Sequence, residues 1–398
     1  MRQVLSLPRF IFALKKNIKS NHYKQAKTNK FSGIYWFYLS KTAMYFLKTS
    51  IKNMKKTTIL SLDGGGIRGI ITCIILRYME EQLQLLDHPT AKLGDYFDLV
   101  AGSSTGGLIA SIILCPDEHR KAKYSIQKGL ELYAEKGGDI FQVSFWERLV
   151  NPFGLLNEKI SQEALEKNLN DFFGNLELKE LIKPCLITSY DIENRRAKLF
   201  NSWNAHLNTD NFYVKDVCRA TSAAPTYFTP VQIKSMYGQI FSLIDGGMFA
   251  NNPALCAYAE ARKIPFAEVL KNHQKANHPS VNDMIIVSIG TGIESKSYSF
   301  KKLQKAGKIG WVNPIIDILM SANAETVDYQ LCQMFQTLGT RNQKNYYRLN
   351  PSLKNASPAM DNVKRSNIEN LIQAGLSYID DNREVLNQIV QKLIKNKI

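Results

Sequence analysis

Residues 98–114 read DLVAGSSTGGLIASIIL: a short apolar run closes in small residues and a second apolar run opens at once. A chain that changes from strand to helix with no connecting loop must turn sharply, and only unbulky neighbours permit that. Gly102, Ser104 and Gly106 form a G-x-S-x-G, the spacing that lets a serine hydroxyl stand exposed at the top of a sheet. The N-terminus of the following helix would place partial positive charge beside that hydroxyl. Ser104 is the candidate nucleophile. Ser103 lacks glycines two positions either side and is the bystander. A small-residue turn without chemistry is the blander reading of the same string, because short glycine and serine patterns recur by chance.

A second strand–turn–helix lies upstream. TTILSL, residues 57–62, is β-rich; DGGGIRG breaks it at 63–69; IITCIILRYMEEQLQ then has helical spacing. Gly64, Gly66 and Gly69 also satisfy G-x-G-x-x-G, the pattern of a nucleotide-binding oxidoreductase. That reading needs an acidic residue closing a second strand about twenty positions on. Asp87 falls there but ends a helical stretch. The loop is better understood as backbone N–H groups held free for an anion, and beside a serine elbow that anion is an ester oxyanion.

Further along, CLITSYDIENRRAKLFNSW at 185–203 predicts a hairpin in which Asp191, Arg195 and Arg196 are solvated turn residues. Residues 215–231 predict a helix that runs into small residues and halts at Pro225. FSLIDGGMFANNP, 241–253, predicts a strand, a glycine turn at Gly246 and Gly247, and a helix opened by Asn-Asn-Pro. Asp245 closes that strand, where open α/β sheets keep their chemistry, although a turn aspartate capping local N–H groups has the same appearance. MIIVSIGTG, 284–292, predicts another buried strand. The tail from 309 reads as mainly helical, with an amphipathic helix at 363–379. Turn signals at Gly137-Gly138 and Asn151-Pro152 mark a long connection suited to a lid or pocket.

The net charge of +16 loses its apparent meaning once it is located. Residues 1–56 hold 13 of the 51 basic residues and none of the 35 acidic ones, leaving 38 basic against 35 acidic in the body. Charge therefore gives no support for nucleic-acid binding, and no nucleic-acid-reading motif occurs. Six scattered cysteines without a C-x-x-C pair predict buried thiols in a reducing, cytoplasmic setting, and six scattered histidines give no metal-ligand spacing. Residues 1–53 stand apart as a basic leader with an aromatic cluster at 31–40. They read as a presequence, an anchor at an anionic membrane surface, or sequence upstream of a start at Met54. Lys41 interrupts the cluster well short of the roughly 18 apolar residues of a spanning helix, and neither a signal peptide nor a transmembrane helix is evident. The expected organisation is thus this leader followed by one domain over 54–398, with its core at about 57–255.

DGGGIRG, GSSTG, SAAPTYF, and IDGG with NNP behind it, together with WVNPIIDILMSANAETVDYQL at 311–331, resemble the patatin-like phospholipases in motif, order and spacing. The resemblance implies a three-layer α/β/α sandwich with a mostly parallel central sheet. It implies a serine carboxylic-ester hydrolase acting on phospholipids or galactolipids at a peripheral membrane surface, with neither metal nor cofactor. It makes Ser104 the nucleophile and Asp245 the base of a Ser-Asp dyad, and Gly64, Gly65, Gly66 and Arg68 the oxyanion-hole loop. A non-catalytic membrane-binding protein on the same fold is the alternative, against which the intact Ser104 and Asp245 stand.

Overall fold

The computed structural model describes residues 54–134, 158–294, 297–339 and 342–397. The leader at 1–53 and the turn signals at 137–138 and 151–152 lie outside the described residues. Residues 55–398 form one compact unit.

Eight strands build one sheet: β1 (Thr57–Leu62), β2 (Leu99–Ser103), β3 (Cys185–Asp191), β4 (Arg196–Asn201), β5 (Val231–Lys234), β6 (Ile240–Asp245), β7 (Met284–Ile289) and β8 (Tyr346–Leu349), in the order β5-β6-β3-β2-β1-β7-β8 with β4 also paired to β3. The run β3-β2-β1-β7-β8 is parallel throughout, and antiparallel pairing is confined to β3 with β4 and β6 and to β5 with β6. The buried strands β1 and β7 are apolar on both sides, as parallel strands under two helical layers must be.

Those two layers divide the core along each strand. Leu60 and Leu62 of β1, Val100 of β2 and Val287 and Ile289 of β7 face one cluster; Ile59, Leu99, Ala101, Met284 and Ile286 face the other. The larger cluster takes in helices α1 (Gly69–Leu86), α2 (Thr105–Leu114), α3 (Ile126–Ala134), α4 (Glu158–Phe173) and α5 (Val214–Thr221). The smaller lies under α7 (Ala254–Ala261), which follows the single turn α6 (Gly247–Ala250), and under α8 (Val312–Gln336). A final helix, α9 (Arg365–Asn396), runs along α1 through Leu371, Ala374, Leu386, Ile389 and Leu393, all buried.

Several expectations change. Asp191 is not a solvated turn residue: it is fully buried, its carboxylate accepting from the Asn194 backbone at 3.1 Å and the Asn194 side chain at 2.8 Å. The cause is β6, which pairs the edge of β3 opposite β4 and so encloses the end of the hairpin. Arg195 and Arg196 are exposed as expected. The helix before Pro225 stops at Thr221, four residues early, because the Ala223 carbonyl turns away to accept the Asp245 N–H at 3.0 Å. The tail contains β8, a four-residue strand too short to show a period. None of the six cysteines is in a disulfide; Cys73, Cys115, Cys185 and Cys218 are buried.

The ends of the described unit are tied by one buried ion pair. Lys275, fully buried, donates to Asp98 Oδ2 at 2.5 Å and to the carbonyls of Lys56 and Asn396 at 2.8 Å each, while the Thr58 N–H reaches the same Asp98 oxygen at 2.9 Å. Burial pulls the Lys275 pKa down and Asp98 opposes that. Asp98→Ala leaves an ammonium buried without its counter-charge and is expected to lower unfolding free energy in urea by about 3–5 kcal/mol. Asp98→Ala/Lys275→Met should recover much of that loss; a double variant as unstable as the two single effects added would show the groups are not coupled.

Candidate active site

The register of the sheet puts the two motif ends at one level. Ser103 lies beside Thr188 and Asp245 beside Ser189, and because β4 pairs the other edge of β3 over 186–191, β2 and β6 share one edge and their ends face each other at neighbouring rungs. The chain leaving β6 meets the end of β2 within a residue and has to turn away close over β3 at once. Gly246 permits this: a β-carbon there would stand 2.2 Å from Thr188 Oγ1 and 2.3 Å from its carbonyl carbon.

Ser104 is the first residue after β2 and caps α2 with φ 52° and ψ −124°, a conformation that costs a residue with a side chain on the order of 1–3 kcal/mol. Its N–H donates to Thr221 Oγ1 at 2.8 Å, and its carbonyl accepts from Gly107 N–H at 2.8 Å and Leu108 N–H at 3.2 Å. The turn closes because Gly102 and Gly106 lack side chains. A β-carbon on Gly102 would sit 2.2 Å from the Gly106 carbonyl oxygen, and one on Gly106 would sit 2.1 Å from that of Leu62. Ser103 points into the protein, fully buried, its hydroxyl unpartnered.

Asp245 is 2 % exposed. Its Oδ1 accepts the Gly247 N–H at 2.6 Å. Burial pushes its pKa from 3.8 up to about 7, against the pull of the Ser104 hydroxyl and the Gly247 N–H. The hydroxyl is near enough to act on the carboxyl, yet Oδ2 has no partner at ordinary hydrogen-bond geometry. The Ser104 hydroxyl thus stands close to the carboxyl, while Oδ2 makes no hydrogen bond.

The glycine loop runs past both groups. Gly64 lies against Ser104 and Asn251, and its N–H is taken by the Asn251 carbonyl at 3.2 Å. The Ile67 N–H goes to Met360 at 2.9 Å. Among the described residues, the Gly65 and Gly66 N–H groups donate to no carbonyl. The Gly65 carbonyl accepts from the Arg68 N–H at 3.2 Å and from Arg68 Nε at 3.4 Å. In a trans peptide the next N–H points the opposite way, so Arg68 turns the Gly66 N–H out of the loop. Burial lowers the Arg68 pKa, with Asp317 the chief charge opposing it.

Three supports were invisible to motif reading. Asp63, next to the loop, is buried and held by Arg348 of β8 through two bonds, 2.9 Å to Oδ1 and 2.5 Å to Oδ2. Burial favours the neutral carboxyl and the guanidinium opposes it; the two-pronged geometry is that of an ionised pair. Thr291 of the β7 turn donates to the Gly64 carbonyl at 2.9 Å, and Thr105 to that of Gly66 at 2.7 Å. A lone arginine or threonine far along the chain carries no sequence signal for such roles.

A pocket beside Ser104 and Gly66 is walled by Leu108, Leu165, Tyr227, Phe228 and Met360. A larger cleft of about 730 Å³ lies along α4, α5 and β5, with Glu166, Lys215, Arg219 and Lys234 on its walls, and takes in neither Ser104 nor Asp245. Mixed charge and distance from the strained turn leave the smaller pocket as the site. A nucleotide fits the loop poorly, because β-carbon positions on Gly65 and Gly66 already abut Thr291 and Met360. Asp87 caps α1 and bonds Tyr96 and Lys397 instead of ending a strand. Among the described residues no group of three or more His, Cys, Asp or Glu is placed to hold a metal ion, and no helix is long and apolar enough to cross a membrane.

Residues 60–258 match the family model described as patatin-like phospholipase. Similar curated proteins include Patatin-like protein 2 of Oryza sativa subsp. indica, 31 % identical with 84 % of this chain and 86 % of that protein covered. Patatin-like protein 3 of Arabidopsis thaliana is 34 % identical over 80 % of this chain and 79 % of that protein. Among solved structures, VipD from Legionella pneumophila aligns with a TM-score of 0.36 and 13 % identity over 82 % of this chain and 67 % of that one. With strands, elbow and loop occurring in the matched order, the chain belongs to the patatin-like phospholipase family.

Proposed function

We propose that the protein is a serine carboxylic-ester hydrolase that cleaves acyl esters of phospholipids or galactolipids. The observation that carries this reading is the meeting of a serine in a strained strand–helix turn with a buried carboxyl whose free oxygen has no other partner. Ser104 Oγ attacks the ester carbonyl while Asp245 Oδ2 takes its proton. The tetrahedral oxyanion is received by the Gly65 and Gly66 N–H groups beside the N-terminus of α2. Gly64 shapes the loop without donating, and Arg68 positions the donors. Collapse returns the proton from Asp245 to the leaving alkoxide and leaves an acyl group on Ser104. Water then attacks the acyl-enzyme, again giving its proton to Asp245, and the fatty acid departs as the proton passes back to Ser104. The apolar pocket receives the acyl chain.

Aspartate near its ordinary pKa is a feeble base at neutral pH, and the shift to about 7 makes it a serviceable one. Only the ionised carboxylate accepts the proton, so kcat/KM on a soluble p-nitrophenyl ester should fall as pH drops through about 7. Asp245→Asn should remove both the activity and that limb. The same shift acts on stability with opposite sign: a raised carboxyl pKa favours the fold below the unfolded value and the advantage is lost as pH rises through about 7. Asp245→Asn should therefore melt higher than wild type above pH 7 and about equally below pH 4. Undiminished turnover in Asp245→Asn would overturn the assignment of Asp245 as base, and a wild-type limb near pH 4 would show its carboxyl unshifted.

Ser104→Ala should cut turnover by roughly 10⁴-fold or more with the melting temperature kept, while Ser103→Ala keeps most activity. Survival of turnover in the first and its loss in the second would move the nucleophile. Arg348→Met should leave Asp63 buried and unpaired, lowering stability by about 3–5 kcal/mol and kcat more than KM, since it disturbs the loop that meets the oxyanion. Unchanged kcat in a folded Arg348→Met protein would separate the ion pair from the loop.

A further inference from the structure

Helix α8 buries one apolar face from Met320 onward and carries a second, exposed apolar group on the opposite face of its first turns. Met320, Ala324, Val327 and Leu331 face inward and are buried. On the other side Trp311, just before the helix, with Val312, Ile315, Ile318 and Leu319, are exposed by 36–47 %, at spacings that line one face. Immediately before them, Phe300 is 77 % and Tyr298 45 % exposed. Large aliphatic and aromatic side chains thus stand in water as one group along a 22-residue segment, whereas beyond Leu319 the same face turns to Ala322, Glu325, Thr326 and Tyr329. Burying such a group is worth far more than leaving it wet, and contiguous apolar patches on an otherwise polar surface mark interaction sites.

Charge identifies the partner. Between Glu294 and Asp317 the sequence holds five lysines and no acidic residue, and Lys301 and Lys305 are exposed beside Phe300. Lysines next to aromatic and aliphatic side chains suit the boundary of an anionic bilayer, where apolar groups enter the acyl region and ammonium groups stay among head groups. The segment also borders both halves of the site. Met320 lies against Gly247, Asn323 donates to the Phe249 carbonyl at 2.6 Å, and Asp317, which accepts from the Tyr298 hydroxyl at 2.7 Å, is the chief acidic charge acting on Arg68.

We infer that residues 298–319 are the surface by which this enzyme docks on an anionic lipid bilayer, bringing the glycine loop and the Asp245 turn to the membrane that holds the substrate. The inference rests on the lipid-ester reading of the site.

The test uses the full chain and vesicles of non-hydrolysable ether lipids, zwitterionic or containing an anionic phosphatidylglycerol analogue, with p-nitrophenyl ester turnover measured in parallel. Phe300→Ser/Trp311→Ser/Ile315→Ser should weaken co-sedimentation roughly tenfold or more on anionic vesicles, with soluble-ester turnover unchanged. Lys301→Glu/Lys305→Glu should weaken it on anionic vesicles alone, and high salt should abolish that difference. Leu85→Ser/Leu86→Ser, which removes exposed apolar surface elsewhere, should bind like wild type. Wild-type binding by the triple variant overturns the inference. So does a triple variant whose only change in light scattering is from dimer to monomer, which would make the face a contact between copies. Because ether lipids are not cleaved, co-sedimentation judges docking even if soluble esters are not turned over, an outcome that would count against the hydrolase reading instead.

Discussion

Gly106 meets the carbonyl oxygen of Leu62 with no room for a β-carbon between them, and this approach of helix α2 to the end of β1 sets the whole site. Leu62 is the residue before Asp63 and the glycine loop, while Gly106 is two residues past Ser104. Pressing them together therefore fixes the glycine loop and Ser104 against each other without any side chain acting as spacer. Even a methyl group would push α2 off the sheet, since close-packed backbone has nowhere to go. The strain at Ser104 is tolerated on the same account. Its N–H and carbonyl are both satisfied by Thr221 and by the first turn of α2, so relaxing φ would forfeit three hydrogen bonds.

The sheet supplies the remaining geometry by changing direction. Its parallel run ends β1, β2, β7 and β8 on one edge, where the loops bearing Asp63 to Arg68, Ser104 and Thr291 gather. β6 runs antiparallel to β3 on the edge that β3 shares with β2, opposite β4, and finishes beside Ser189, so its last residue arrives head-on at the elbow and Gly246 then passes close over Thr188. The mixed edge of an otherwise parallel sheet is thus what brings Asp245 to Ser104.

Strand ends carrying glycine are legible in a sequence because their constraint is local: GSSTG, DGGGIRG and IDGG each announce a backbone that must pass close to something. What that something is was not legible. Arg348 grips Asp63 from 285 positions away, and Thr221 holds Ser104 from 117. Neither partner stands in a pattern, and β8 is too short to show one. Asp191 misled for the complementary reason. Its local sequence is that of a turn, and only the arrival of β6 beside β3 removes it from water. The early stop of α5 has the same origin, since Ala223 leaves the helix to bond a residue 22 positions later.

Asp63 and Asp245 close two strands of one sheet and are equally buried, yet their surroundings send them to different chemistry. Burial raises the energy of either carboxylate. At Asp63 a guanidinium answers with two bonds, so the charge is fixed, neutralised and useless for accepting a proton. At Asp245 the opposing influences are the Ser104 hydroxyl and one N–H on Oδ1, both too weak to restore the ordinary pKa, so the group remains near balance between acid and base around neutrality. A histidine would normally sit at that balance unaided. Here desolvation brings an aspartate to the same balance, the property that the proposed Ser104–Asp245 pair requires, while the ion pair at Asp63 anchors the start of the glycine loop without leaving a net charge there.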